Sequence, residues 1–70
     1  MGYEPHSVSN TEELLGEEVL VVGHNFAVRG EVLYLYDVEK GFLLGDMMGF
    51  TYNFTESQMK DKDIQIYVNK

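Results

Sequence analysis

Few residues in this chain of 70 have side chains suited to covalent or acid–base chemistry, and their spacing does not form a catalytic site. Cysteine is absent, which removes thiolate catalysis, disulfides and cysteine-ligated metal sites. His6 falls in an irregular N-terminal segment and His24 in a turn. Neither histidine has a serine and an aspartate at the spacing of a hydrolytic triad. The sequence therefore predicts a protein that is not an enzyme and needs no cofactor.

Three carboxylates, those of Asp37, Glu39 and Asp46, flank one predicted hairpin and would gather around a cation if the hairpin brought them together. The calcium-loop pattern, with ligands at alternate positions followed by glycine and a distant glutamate, is not met. Glycines recur at every fourth position from Gly41 to Gly49, but a phosphate-binding loop also needs Lys-Ser/Thr and a following helix. We therefore predict solvated turns here and no metal or phosphate site.

The charge is strongly acidic: five Lys and Arg against twelve Asp and Glu give a net charge of −7. Direct binding to nucleic acid is disfavoured, because affinity for phosphates is built on Lys and Arg. Four acids gather near the N-terminus, namely Glu12, Glu13, Glu17 and Glu18. Solubility is the simplest account of these acids. The alternative is recognition of a basic surface on another protein, including imitation of DNA phosphates.

The composition is that of a folded chain, with 44% hydrophobic and 13% aromatic residues. We predict a loose N-terminal lead-in over residues 1–10 and a single small domain over residues 11–70. No apolar run reaches the roughly 18 residues of a membrane helix, and the N-terminus lacks the pattern of a secretory signal. The expected location is the cytoplasm, with no membrane contact.

Clusters of β-branched and aromatic residues between Gly, Asn and Asp predict a mainly β fold. A short helix is expected first, capped by Asn10 and ended by Gly16. Thr55 is expected to cap a one-turn helix before the last strand. Five strands are predicted at residues 18–22, 26–37 with a bulge or bend at Gly30, 42–45, 50–54, and 64–68, where Ile64, Ile66 and Val68 face inward.

This order of elements resembles the layout of small SH3-like β-barrels. Residues 15–21, followed by Arg29-Gly30-Glu31-Val32 and Asp37, look like the opening of an Sm-like domain. Residues 50–58, an aromatic strand running into a polar helical turn, are similar to KOW and Tudor modules. The resemblance implies a small five-stranded barrel, in a class that mostly binds other chains or nucleic acids. The Arg-Gly motif expected of an RNA-binding Sm protein is missing from residues 62–66.

The middle strands carry more apolar residues than one small interior can hide, since residues 32–36 are apolar on both faces. If Val32, Tyr34 and Tyr36 point inward, Leu33 and Leu35 lie outside. Together with Met47 and Met48 they would then form an adhesive patch. The alternative is that the N-terminal segment, with Tyr3, Leu14 and Leu15, covers this face.

The leading hypothesis is a non-enzymatic, acidic protein-binding module that acts as an oligomeric accessory or inhibitory factor. Leu33, Leu35, Met47 and Met48 would supply the apolar contact, and Glu12, Glu13, Glu17 and Glu18 the charge. The expected partners are further copies of this chain and another protein that has a basic surface. One alternative is a phage-type decoy that occupies a nucleic-acid-binding protein. Another is an Sm-like or KOW-like nucleic-acid module that stacks bases on Tyr34, Tyr36, Phe42 and Tyr52.

Overall fold

The computed structural model describes residues 2–70, in which six antiparallel strands form one sheet. The sheet order is β1-β6-β2-β3-β4-β5, so β1 and β5 are its edges and the sheet is not closed. The mainly β class is thus confirmed, whereas the predicted number of five strands is wrong. The strands are β1 (Tyr3–His6), β2 (Glu18–Val22), β3 (Ala27–Leu35), β4 (Gly41–Gly45), β5 (Thr51–Thr55) and β6 (Gln65–Asn69); a 3₁₀ turn spans Thr11–Glu13 and helix α1 spans Glu56–Asp61.

The additional strand is β1, within the segment predicted to be loose. Tyr3 lies opposite Asn69 and His6 lies opposite Ile66 in the ladder between β1 and β6. The presence of Pro5 disfavours a strand when the sequence alone is considered. An edge strand, however, tolerates a residue without an N–H. The order comes from pairing with a partner far along the chain, which local composition does not reveal. Met1 lies outside the described residues.

The predicted N-terminal helix is reduced to the 3₁₀ turn Thr11–Glu13, and the side chain of Asn10 makes no capping hydrogen bond. Leu14, which follows this turn, is only 1% exposed and is part of the buried core. Gly16 then leaves the helical path with φ +81°. Its N–H donates to the carbonyl of Val32 at 2.9 Å, so pairing with β3 competes with further helical turns.

Strand β3 carries an irregularity that changes which residues face outward. The register with β4 shifts between Val32 and Tyr34, so Leu33 is the extra residue of a β-bulge. A bulge reverses the alternation, and Leu33 and Tyr34 are therefore both exposed. Leu35 instead is half-buried and packs against the core, so it is not among the exposed residues that the interface hypothesis assumed. The bulge does not lie at Gly30, where we expected it.

The C-terminal part follows the sequence prediction closely. Thr55 caps α1, its hydroxyl accepting a hydrogen bond from the N–H of Gln58 at 3.2 Å. Within residues 2–70, no helix is long and apolar enough to cross a membrane. The inner face of the sheet and α1 enclose one core, whose buried apolar residues are Leu14, Val19, Val21, Val32, Phe42, Leu44, Phe54, Met59, Ile64, Ile66 and Val68.

Candidate functional site: an apolar turn beside an acidic depression

The turn between β4 and β5, residues 46–50, is fixed by the side chain of Asp46. Its Oδ1 accepts hydrogen bonds from the backbone N–H groups of Met48 and Phe50, both at 2.9 Å. Its Oδ2 accepts one from the Tyr52 hydroxyl at 3.1 Å, which raises the pKa of that hydroxyl. Gly49, with φ +90°, supplies the left-handed residue that the turn needs. The turn therefore has a defined backbone conformation.

This turn holds three large apolar side chains in solvent, and we call residues 46–50 the apolar turn. Met47 is 91% exposed, Met48 80% and Phe50 62%. Single exposed apolar residues are ordinary on a protein surface, but three within four positions of one turn are not. The three exposed side chains are thus carried by a turn whose backbone Asp46 holds.

The apolar surface continues onto the outer face of β3. Leu33 is 49% exposed and Tyr34 58%. A Cβ added to Gly45 would lie 2.6 Å from Cδ1 of Leu33, so the Leu33 side chain covers Gly45 at the start of the apolar turn. Tyr36 packs edge-on against Tyr34, with ring centroids 5.6 Å apart, and its hydroxyl donates to Oδ1 of Asn53.

A depression of about 530 Å³ lies beside the apolar turn, since Asp46 and Met47 are part of its lining. Gly30 and Gly45, in adjacent strands, contribute to its lining without side chains. The charged groups that line it are three carboxylates and one guanidinium, those of Glu18, Glu31, Asp46 and Arg29, and Met47 lies at its border with the turn. Its charge is therefore negative, and we call it the acidic depression.

The predicted site residues divide between this region and the rest of the surface. Met47 and Met48 are exposed as the apolar-patch hypothesis requires, and Leu33 lies over the strand that leads to them. Of the four predicted acids only Glu18 lines the acidic depression. The others, Glu12, Glu13 and Glu17, are exposed outside it.

Sequence reasoning missed several residues of the region. The alternative that left Leu33 and Leu35 outside put Tyr34 in the interior, because strict alternation from Val32 does not include the bulge at Leu33. Glu31 and Arg29 come to the depression through cross-strand register, which the sequence alone does not reveal. Phe50 was expected to begin the strand at residues 50–54, but β5 starts at Thr51 and Phe50 lies in the preceding turn, where it is exposed.

Glu18 has a second role, since it links its own strand, β2, to three other strands. Its carboxylate accepts hydrogen bonds from the Tyr3 hydroxyl at 2.9 Å and from Nδ2 of Asn69 at 3.1 Å. Arg29 Nε lies 3.8 Å away. These contacts, the Tyr3 hydrogen bond foremost, lower the pKa of Glu18 below its ordinary value. Part of the acidic cluster is thus structural.

Replacing Tyr3 with phenylalanine is expected to raise the pKa of Glu18 towards its ordinary value. A carboxyl whose pKa is lower in the folded state adds stability above its unfolded pKa, and that contribution is lost as pH falls through the folded pKa. Tyr3→Phe should therefore weaken the acid dependence of unfolding. Carbon-detected NMR titration of Glu18, with urea unfolding at several acidic pH values, measures both effects. Tyr67→Phe is the control because that hydroxyl contacts Gln65 instead; an unchanged Glu18 titration in Tyr3→Phe would refute the assignment.

The remaining carboxylates and histidines that could do chemistry do not lie together in one site. Asp37 and Glu39 lie at one end of β4 and Asp46 at the other, and five residues of strand separate them by about 15 Å. Nε2 of His6 contacts the carbonyl of Asn10 at 2.8 Å, which makes it a link within the N-terminal segment. Across residues 2–70, no group of three or more His, Asp or Glu side chains is arranged to hold a metal ion.

Comparison with known proteins returned no match to any family model, curated protein or solved structure.

Proposed function

We propose that the protein is a non-enzymatic binding module that contacts a second protein through the apolar turn and the acidic depression. The observation that carries this proposal is the exposure of Met47, Met48 and Phe50 on a turn that Asp46 holds in one conformation. A binding surface of this kind loses little conformational freedom on association, because its backbone is already ordered. Its large side chains supply the contact area.

The charge beside the turn indicates the chemistry of the partner. Three carboxylates and one guanidinium line the acidic depression, and Met47 connects it to the apolar turn. A partner that presents a Lys or Arg next to apolar side chains would match both parts. The net charge of −7 attracts such a basic surface over a long range and repels the phosphate backbone of a nucleic acid.

We also propose the SH3-like barrel as the fold to which this sheet is related. Its support is the order of elements: a short helical turn, a long β3 containing Gly30, and one short helix before the last strand. Strand β1 is an addition to that layout. Members of this class mostly bind other chains or nucleic acids and rarely catalyse, which is consistent with a binding role at the level of fold analogy.

The proposal predicts that Met47 and Met48 dominate binding. Immobilised protein is exposed at low salt to a lysate of the organism that encodes the chain, and the retained protein is identified and titrated. The Met47→Ser/Met48→Ser double variant is expected to bind that partner at least about tenfold more weakly, because two buried apolar contacts are lost. Rising salt is expected to weaken binding of the unmodified protein, since carboxylates contribute.

Val38→Ser is the matched control. Val38 is 93% exposed but lies in the turn between β3 and β4, at the far end of β4 from the apolar turn. Its substitution should leave binding unchanged. Equal retention of the same partner by the double variant and the unmodified protein would contradict the proposal.

A further inference from the structure

The two edges of the sheet differ in how they resist the addition of another strand. Natural edge strands are protected by shortness, charge or proline. The four-residue β1 contains both Glu4 and Pro5. The other edge, β5, has the sequence Thr-Tyr-Asn-Phe-Thr, with no charge, no proline and high β-propensity. Only β5 therefore lacks these protective features.

The outward-facing backbone groups of β5 follow from the pairing with β4. The N–H of Asp46 donates to the carbonyl of Phe50, and the N–H of Glu56 donates to that of Lys40, each at 3.0 Å. Bonded and non-bonded positions alternate in an antiparallel ladder, so Tyr52 and Phe54 direct their backbone groups towards β4. The N–H and C=O groups of Thr51, Asn53 and Thr55 point to the free edge. In the part of the chain that the structure describes, these groups have no backbone partner, except the C=O of Thr55, which as the N-cap of α1 accepts the first hydrogen bond of the helix.

An apolar groove of about 510 Å³ runs along this edge. Phe26 lies in the groove, is 40% exposed and stacks on Phe54 with ring centroids 6.2 Å apart. Val28 and Ile64 are also part of the lining, with Gln58 and Lys62 as the polar members. An added strand would thus meet both free hydrogen-bonding groups and an apolar surface for its inward side chains.

We infer that the strand added at this edge is β5 of a second copy of the chain, paired antiparallel about a two-fold axis at Asn53. That register places Thr51 opposite Thr55 and Tyr52 opposite Phe54 of the second copy. The two Asn53 residues then exchange N–H···O=C hydrogen bonds, and the N–H of each Thr55 meets the C=O of Thr51 in the other copy. The Tyr-Phe pairs occupy the non-bonded positions, where side chains approach most closely.

A second copy fits this edge better than the basic partner does. Strand β5 is uncharged, so nothing in it selects Lys or Arg, whereas its sequence is close to symmetric about Asn53. The two copies repel at long range because each carries −7, so salt should strengthen their association. This dependence is opposite to that expected for the acidic depression. The inference goes beyond the proposed function and does not use the apolar turn.

The test compares two substitutions at Asn53. Asn53→Pro removes an N–H that faces away from β4, so it blocks the second copy without breaking the ladder of its own sheet. Asn53→Thr keeps the N–H and a strand-favouring side chain. Sedimentation equilibrium, from micromolar to millimolar protein at low and high salt, is expected to show a dimer for the unmodified chain and for Asn53→Thr. Asn53→Pro should associate about tenfold or more weakly.

Hydrogen exchange on the unmodified protein keeps the test independent of how well the proline variant folds. The amides of Asn53 and Thr55 should gain protection as concentration rises, while those of β1 should not. A monomer over the whole concentration range, or equal dimerisation of Asn53→Pro, would overturn the inference. The Met47→Ser/Met48→Ser variant should still dimerise, which separates this result from the test of the proposed function.

Discussion

Gly41→Ala is expected to destabilise the protein by roughly 3 to 5 kcal/mol, the sum of backbone strain and a steric clash. Gly41 has φ +126°, a conformation that side chains rarely adopt. A Cβ at this position would also lie 2.1 Å from the carbonyl oxygen of Phe54 and 2.7 Å from Cα of Thr55. Both contacts are with backbone of β5, so relief requires the two strands to separate. A domain of this length has only about 4 to 10 kcal/mol of stability to lose.

Gly49→Ala separates the two causes. Gly49 has φ +90°, but a Cβ there meets nothing within 4 Å. Strain alone should then cost about 1 to 2 kcal/mol. Urea unfolding followed by circular dichroism measures both variants. If Gly41→Ala lowers the free energy of unfolding no more than Gly49→Ala does, β4 and β5 do not approach each other as closely at Gly41 as described.

Phe42→Ala is expected to cost about 3 to 5 kcal/mol, because it removes the largest fully buried side chain of the core. The Phe42 ring packs against that of Phe54, with centroids 5.7 Å apart, and Phe54 in turn stacks on Phe26. Loss of Phe42 therefore leaves a cavity and removes support from the row of rings that connects β4 with the start of β3. The variant should have a lower unfolding midpoint and a weaker near-ultraviolet circular dichroism signal.

Phe50→Ala is the matched control, since it removes the same atoms from a side chain that is 62% exposed. Its cost should stay within about 0.5 kcal/mol. Similar losses for the two variants would mean that Phe50 is packed against the protein and that the apolar turn is not free for a partner.

The elements that were predictable are those whose pattern is local. Ile64, Ile66 and Val68 alternate and are all buried, so β6 follows from periodicity alone. Thr55 followed three positions later by Gln58 is a local capping pattern, and the cap is present. Strand β2 matches its predicted bounds because apolar residues on both faces are bracketed by polar and turn residues.

The elements that were not predictable depend on distant parts of the chain. Strand β1 forms only because β6, about sixty residues away in sequence, offers a free edge. The bulge at Leu33 depends on the register with β4, and one extra residue there exchanges the environments of Tyr34 and Leu35. The Met47 and Met48 part of the site was therefore predictable as a turn, whereas the exposure of Tyr34 was not.

The N-terminal strand has a consequence for how large an assembly of this protein can become. In each copy, Pro5 and Glu4 occupy the edge opposite β5. Two copies joined through β5 would present only β1 edges at their ends, and these accept no further strand readily. Growth would stop at a closed pair, where a chain with two unprotected edges would polymerise into a fibre. Four residues with little apolar content would thus set the upper limit on assembly size.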